Sequence, residues 1–309
     1  MNIVYMGTSV FAVPSLQSLI ASRHQVVGVI SQPDRPRGRG KRISPTPVKE
    51  IAQQHGIPVY QPAKIKAPEA TQQIRLWQPE LIVVVSYGQI IPPEILEYPA
   101  AGCINVHASL LPRYRGAAPI QRALMEGEKT SGITTMFMDE GLDTGDIILQ
   151  LDIPVKDEYD HGQLEAILAE KGALLLEETI DQLENGTAPR IPQQHELASY
   201  ASRIGPEDEK IDWVQPAESI HNQIRALSPA PGAWISIDTY KTKVFKSRVI
   251  SNDGSGVISQ VVEVGSEGFT VQSGKGIIEI LEVQRAGKKR MPARDFLRGC
   301  KLQPGTLLA

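Results

Sequence analysis

The residues best suited to chemistry lie in one run, Gly102-Cys103-Ile104-Asn105-Val106-His107-Ala108-Ser109-Leu110-Leu111-Pro112-Arg113-Tyr114-Arg115-Gly116. In a strand, residues two apart face the same side. Asn105 and His107 then project together, while Ile104 and Val106 turn into a core. The strand leads into a loop bearing Pro112 and Gly116, at the carboxyl end where open α/β sheets bind ligands. A carboxamide beside an imidazole supplies two hydrogen-bond donors for an oxygen that gains negative charge during a reaction. A lone histidine is more often a packed core residue, so this pair needs a second signal.

That signal follows Ile133–Met138, which alternates like a strand and ends in Asp139-Glu140-Gly141-Leu142-Asp143-Thr144-Gly145-Asp146. Four carboxylates and two glycines in eight residues make an irregular acidic loop. It has neither EF-hand spacing nor nearby His or Cys ligands, so no metal is expected. A carboxylate from this loop beside His107 would raise its basicity and fix its tautomer; a plain turn is the other reading.

The elements that must position these groups read as an α/β layer. Ile3–Met6, Val26–Ile30, a short run at Val59 and Leu81–Val85 are apolar segments separated by helical patterns. The mostly β-branched run Leu81-Ile82-Val83-Val84-Val85 suits a parallel strand buried on both faces. Thr46-Pro47 reads as an N-cap with proline at the first helical position, and a long helical pattern covers residues 161–184, with Gly186 just beyond it. The expected fold is an open, mostly parallel sheet with helices on both faces, in a domain over 1–188. Pro189, Pro192, Gly205 and Pro206 mark 189–206 as a linker. Within 207–309, a helix over 216–227 precedes short alternating segments with Gly, Asn, Asp and Ser turns, which predicts a small β-barrel or sandwich. These segments are Ala233–Ile237, Lys243–Val249, Gly256–Val264, Phe269–Gln272 and Ile277–Val283.

The 309 residues are enough for two cores, with 41% hydrophobic and 22% charged residues. Cys103 and Cys300 lie far apart and outside any metal-ligand spacing, which suits reduced packing residues in a cytoplasmic protein. No basic leader and no membrane-length apolar run is present. Gly7-Thr8-Ser9 is not a dinucleotide fingerprint, and Gly38-Arg39-Gly40-Lys41 lacks P-loop spacing. His24, His55, His161, His195 and His221 have no partner pattern, and Trp213 and Trp234 read as packing residues.

The run Ile104–His107 with Ser109–Gly116, followed by Gly141-Leu142-Asp143-Thr144-Gly145-Asp146, resembles the 10-formyltetrahydrofolate-dependent formyltransferases. Gln32-Pro33-Asp34-Arg35-Pro36, Gly38–Lys41, Ser86-Tyr87-Gly88-Gln89-Ile90-Ile91-Pro92 and Gly116-Ala117-Ala118-Pro119-Ile120-Gln121-Arg122 extend the likeness over nearly the whole chain, more loosely after residue 200. The resemblance is to the branch acting on initiator methionyl-tRNA. It implies a Rossmann-like catalytic domain, an OB-like C-terminal domain and a catalytic set of Asn105, His107 and Asp143. In that set, Asn105 and His107 hold the oxyanion and Asp143 assists His107 and proton transfer. Reduced folate, with 10-formyltetrahydrofolate as formyl donor, would be lined by Ser109, Leu110, Leu111 and Pro112 and by Ser86, Tyr87, Gly88 and Ile91, over an apolar floor of Val84 and Val85. Such a transfer needs no metal and no protein nucleophile.

The amine is read from the basic segments. Arg35, Arg37, Arg39, Lys41 and Arg42 occur without an intervening acid, which is a solvated loop or a phosphate-contacting one. The resemblance implies contact with the acceptor end of the initiator tRNA by Arg39 first, then Lys41, Arg42 and Arg37. Residues 207–309 carry 14 Lys/Arg against 12 Asp/Glu, where residues 1–206 carry 18 against 23. Arg285, Lys288, Lys289, Arg290 and Arg294 form a second cluster, with Lys288 and Lys289 as tRNA candidates, and Lys241 and Lys243 share a strand face near Lys246. A monomer meets these needs. An acceptor end that is weakly paired costs less to open, the expected mark of the initiator. Two other readings stand beside this one: a formyltransferase for a sugar-nucleotide or other small amine, or a folate hydrolase module of similar core, neither of which has a use for the basic segments; and a non-catalytic tRNA-binding protein, which has no use for an oxyanion site.

Overall fold

In the computed structural model, which describes residues 1–37, 42–237, 240–254 and 256–308, the apolar runs of the first half become one seven-stranded sheet. Its strands are β1 (Asn2–Gly7), β2 (Gln25–Ile30), β3 (Val59–Tyr60), β4 (Leu81–Val85), β5 (Cys103–His107), β6 (Thr130–Phe137) and β7 (Ile147–Pro154). They lie in the order β7-β6-β5-β4-β1-β2-β3. The five from β3 to β5 are parallel, and β6 and β7 are antiparallel additions. The chain leaves β1 outward to β2 and β3, then returns to β4 on the other side of β1. This reversal opens a crevice at the carboxyl ends of β1 and β4. There the two following loops are tied: Thr8 Oγ1 donates to the Tyr87 carbonyl at 3.0 Å, and Ser9 Oγ to Ser86 Oγ at 2.9 Å.

All five residues of β4 are buried, as a strand covered on both faces requires. Helices α1 (Val13–Ala21), α2 (Pro47–Gln54), α3 (Pro68–Trp77) and α4 (His161–Glu184) accompany the sheet. Thr46 caps α2 as its residue type predicts, its hydroxyl accepting from Lys49 N at 3.2 Å. Gly172 of α4 lets β5 approach closely: a Cβ there would lie 3.2 Å from Val106 Cγ1. Val106 therefore faces α4, and the alternation of β5 sends Asn105 and His107 to the other face.

The chain separates into two compact units. The first holds Met1–Pro119, Thr130–Pro154 and Glu165–Ala201; the second holds Ile120–Lys129, Val155–Leu164 and Ser202–Ala309. In the second, α5 (Ala217–Ala226) packs its apolar stripe of Ala217, Ile220 and Ile224 against a sheet of β8 (Ala233–Ile237), β9 (Tyr240–Ser251), β10 (Val261–Val264), β11 (Phe269–Gln272) and β12 (Ile277–Arg285). The sheet is antiparallel in the order β8-β9-β12-β11-β10, with Met291–Pro292 paired to β12. Among the described residues no ladder joins β8 to β10; the outer edge of β8 is bridged by Lys210 at Trp234, and that of β10 is covered by residues 305–307.

The stretch 189–206, expected as a linker, is divided between the units rather than left between them. Ile191 exchanges two backbone hydrogen bonds with Ile147, and Tyr200–Ala201 pairs in parallel with Arg115–Gly116, all within the first unit. Its prolines break periodicity, yet its backbone groups are satisfied by loop edges of the sheet. Among the described residues no helix is long and apolar enough to cross a membrane.

Candidate active site

Asn105 and His107 sit in the middle of the sheet, between β4 and β6, and are 8% and 6% exposed. His107 Nε2 lies 3.0 Å from the Tyr114 carbonyl. A carbonyl only accepts, so Nε2 carries the hydrogen and donates it. Nδ1 is then the edge left for chemistry, and it faces Asp143 Oδ2 at 3.7 Å. The same Asp143 oxygen accepts from Gly116 N at 2.8 Å, and Oδ1 accepts from Asn105 Nδ2 at 3.4 Å.

The acidic loop explains why Asp143 is the carboxylate that turns inward. Asp139 accepts from Gly141 N at 3.0 Å and from Thr144 Oγ1 at 2.7 Å, closing a local turn. Asp146 pairs with Arg190 at 3.7 Å, and Glu140 is exposed. Phe137 N donates to the Asp146 carbonyl at 2.9 Å, which pinches the loop at its base. Gly145 is required at that pinch, because a Cβ would collide with the Phe137 carbonyl. Asp143 itself adopts φ 54, the left-handed region that Asp and Asn enter most readily among non-glycine residues.

The loop after β5 is fixed from two sides. Thr134 Oγ1 donates to the Ser109 carbonyl at 2.7 Å and accepts from Leu111 N at 3.1 Å and Gln150 Nε2 at 2.9 Å. Ser109 Oγ donates to the Arg113 carbonyl at 2.7 Å. Opposite, Tyr114 N donates to Ser199 Oγ and Arg115 N to the Ser199 carbonyl, at 2.9 and 2.8 Å. Neither Thr134 nor Ser199 carries a sequence signal for this role; only the fold brings them to residues 109–115.

Of the residues expected to line a folate pocket, Tyr87, Ile91 and Leu111 are 2–3% exposed with side chains packed into cores. Ser109 is also buried. Ser86 and Gly88 are exposed, and Leu110 and Pro112 are half-buried. Ile90 (83% exposed) and Leu142 (56% exposed) are apolar side chains left open on the loops that follow β4 and carry Asp143. A separate cleft of about 430 Å3 runs between Phe137–Asp139, Thr144–Asp146 and the residues Arg190, Pro192, Gln193 and His195. It is not lined by Asn105, His107 or Asp143, so it is not where the three groups converge.

Two family models match this chain: "Formyl transferase" over residues 1–180 and "Formyl transferase, C-terminal domain" over residues 203–301. It is 61% identical to the methionyl-tRNA formyltransferase of Syntrophomonas wolfei subsp. wolfei, across 100% of this chain and 98% of that protein. It is 51% identical to that of Moorella thermoacetica, across 100% of this chain and 99% of the other. The chain belongs to the methionyl-tRNA formyltransferase family. Formyl transfer to methionyl-tRNA is the activity of that family. Solved structures share the fold. The methionyl-tRNA formyltransferase from Clostridium thermocellum superposes with a TM-score of 0.56 at 21% identity, over 80% of this chain and 93% of that one. WlaRD, a sugar 3N-formyl transferase in the presence of dTDP and 5-N-formyl-THF, gives 0.68 at 22% identity, over 94% and 99%.

The basic segments of this formyltransferase are placed unevenly. Arg39 and Lys41 lie outside the described residues. The backbone of Arg35–Arg37 pairs antiparallel with Arg42–Ser44, a two-stranded ribbon whose backbone includes Arg37 and Arg42. Its stem is held by a polar clamp: Lys49 Nζ lies 2.6 Å from Asp34 Oδ2, and Gln61 Nε2 donates to Asp34 Oδ1 and to the Gln32 carbonyl, both at 2.7 Å. The hydrogen bond from Gln61, then that from Lys49, holds the Asp34 carboxyl below its ordinary range.

In the second unit, Lys288 and Lys289 are exposed. Arg290 pairs with Glu282 at 2.6 Å and Arg294 with Glu267 at 3.3 Å, so acids that precede the run offset part of that cluster. Lys241 sits 4.2 Å from the centroid of the Trp234 ring, and Trp213 is in the core, which leaves neither tryptophan as a bare stacking face. Among the described residues, the one close group of three metal-ligand side chains is His24, Asp181 and Glu184. Arg23 occupies both of its carboxylates, at 2.8 and 2.5 Å.

Proposed function

We propose that this chain moves the formyl group of 10-formyltetrahydrofolate onto the α-amino group of the methionine of initiator methionyl-tRNA, using Asn105, His107 and Asp143. The observation that carries the reading is the Asp143 carboxylate, which faces Asn105 Nδ2, His107 Nδ1 and Gly116 N together. The donor supplies a formyl carbon bonded to a nitrogen leaving group. As the amine nitrogen bonds to that carbon, Asn105 Nδ2–H and the Nδ1–H of a protonated His107 donate to the oxygen that becomes negative. His107 can turn Nδ1 to this task because Nε2–H stays on the Tyr114 carbonyl. Asp143 supports the imidazolium and accepts the proton released by the amine, which passes to the leaving nitrogen as the old C–N bond breaks.

Exposed Ile90 and Leu142 suit the faces of a flat heterocycle, and Ser86, Gly88, Leu110 and Pro112 offer backbone and half-open surface beside them. The cations Arg37, Arg39, Lys41 and Arg42, with Lys288 and Lys289, supply phosphate contacts for tRNA. The test is formylation of charged initiator methionyl-tRNA with 10-formyltetrahydrofolate at low and high salt. Turnover that falls steeply with salt supports the whole reading. Folate binding without turnover on tRNA sends the amine assignment to a small molecule.

A further inference from the structure

Asp143 stands in a left-handed conformation on an irregular loop, and the polar contacts of its carboxylate do not by themselves fix its backbone. The backbone is held by Gln193, from the stretch that reads as a linker. Gln193 is 6% exposed, and its Nε2 donates to the carbonyls of Asp143 at 3.0 Å and Gly145 at 2.8 Å. Its Oε1 accepts from Arg115 Nε at 3.1 Å and Nη2 at 2.6 Å. Arg115 is 2% exposed and has no carboxylate partner among the described residues; Nη2 also lies 3.3 Å from His195 Nδ1. A guanidinium only donates and a carbonyl only accepts, so the amide can sit one way round. Arg115 thereby orients the amide, and the amide clamps the two carbonyls that flank Thr144.

We infer that Gln193 is a positioning residue for formyl transfer, acting through the backbone of Asp143, with Arg115 setting its orientation. The inference rests on the role proposed above for Asp143. Glutamate at 193 would keep the Arg115 partner but bring a second oxygen against two carbonyls, releasing the loop while the buried cation stays paired.

The experiment compares Gln193→Glu, Asp143→Asn and the double variant in the full chain, measuring kcat, the KM for 10-formyltetrahydrofolate and the thermal midpoint. For Gln193→Glu the expected result is a kcat lowered by about tenfold or more, with KM within about twofold and the midpoint within a few degrees. In the Asp143→Asn background the same change should lower kcat by less than about twofold, because both act through one group. Gln193→Met, which removes both sets of bonds, should lower kcat at least as far. Wild-type kcat in Gln193→Glu, or a full independent loss in the double variant, overturns the inference while leaving Asp143 in its role. Near wild-type kcat in Asp143→Asn overturns the role of Asp143 itself, and the inference with it.

Discussion

Asp143→Asn is the sharpest perturbation of the site. Asparagine keeps the size of the side chain, keeps an oxygen for Gly116 N–H, and tolerates the φ of 54 that the loop imposes. What is removed is a negative charge 3.7 Å from His107 Nδ1. At an effective dielectric of about 20, two unit charges at that separation attract by about 4–5 kcal/mol. The two side chains are 6% and 14% exposed, so solvent screens little of this. In the proposed reaction the attraction acts on protonated His107, the form that donates to the oxyanion. Losing about 4 kcal/mol there slows transfer about 10³-fold, within the roughly 10²–10⁴ that a positioned acid–base group contributes. The assay is single-turnover transfer from labelled 10-formyltetrahydrofolate to charged initiator tRNA at saturating concentrations, with thermal unfolding as a control for the fold. A folded variant within tenfold of the wild-type rate would refute the assignment of Asp143.

Other outcomes follow from the same geometry. Gly145→Ala places a methyl group against the Phe137 carbonyl, and should destabilise the chain by about 2 kcal/mol or more in urea unfolding, with loss of transfer. Arg39→Ala should raise the KM for tRNA and make the slope of log KM against log salt shallower by about one, leaving folate binding unchanged. His221, with Nδ1 2.9 Å from Ser247 Oγ, is pushed below its ordinary range by burial first and by Arg225 second; burial does the same to His161. Both imidazoles then take up protons more readily once unfolded. Their contribution to stability is full above the unfolded value of about 6.5 and is lost as pH falls below it. Urea unfolding at pH 7.5 and 5.5 should show the loss, and His221→Gln should reduce it.

Much of this fold is legible from local pattern, because the signals are properties of neighbours along the chain. The β-branched run Leu81–Val85, the Thr46-Pro47 cap and the helix over His161–Glu184 are each found where residue type predicts. The alternation that puts Asn105 and His107 on one face is equally local. The choice among four acids is not. From the loop alone, Asp139, Glu140, Asp143 and Asp146 are equivalent; the family resemblance selects Asp143, and in the structure Asp143 is the one that faces His107. Asp139 is taken up by Gly141 and Thr144, and Asp146 by Arg190. Gln193 was invisible for the same reason. Its partners lie 50 and 78 residues away, and the prolines around it erase any periodicity that would mark it as part of a core.

The placement of strained backbone ties these observations together. Five non-glycine residues in the described chain have positive φ, and three of them, Ser86, Tyr114 and Asp143, sit on the loops that surround Asn105 and His107. Such conformations persist only where surrounding contacts over-determine them. Each of the three has such a contact: Ser9 Oγ donates to Ser86 Oγ, Ser199 holds Tyr114 N, and Gln193 holds the Asp143 carbonyl. In the proposed reaction, Tyr114 and Asp143 each support one atom of His107. Tyr114 presents the carbonyl that keeps the hydrogen on His107 Nε2, and Asp143 presents the carboxylate that faces Nδ1. Oxyanion donors stabilise a transition state to the extent that their dipoles are already oriented before charge develops. A relaxed loop at either position would leave His107 free to choose its tautomer and its partner. On the proposed mechanism the residues that restrain these two loops are positioning residues, and their removal should cost rate before it costs fold.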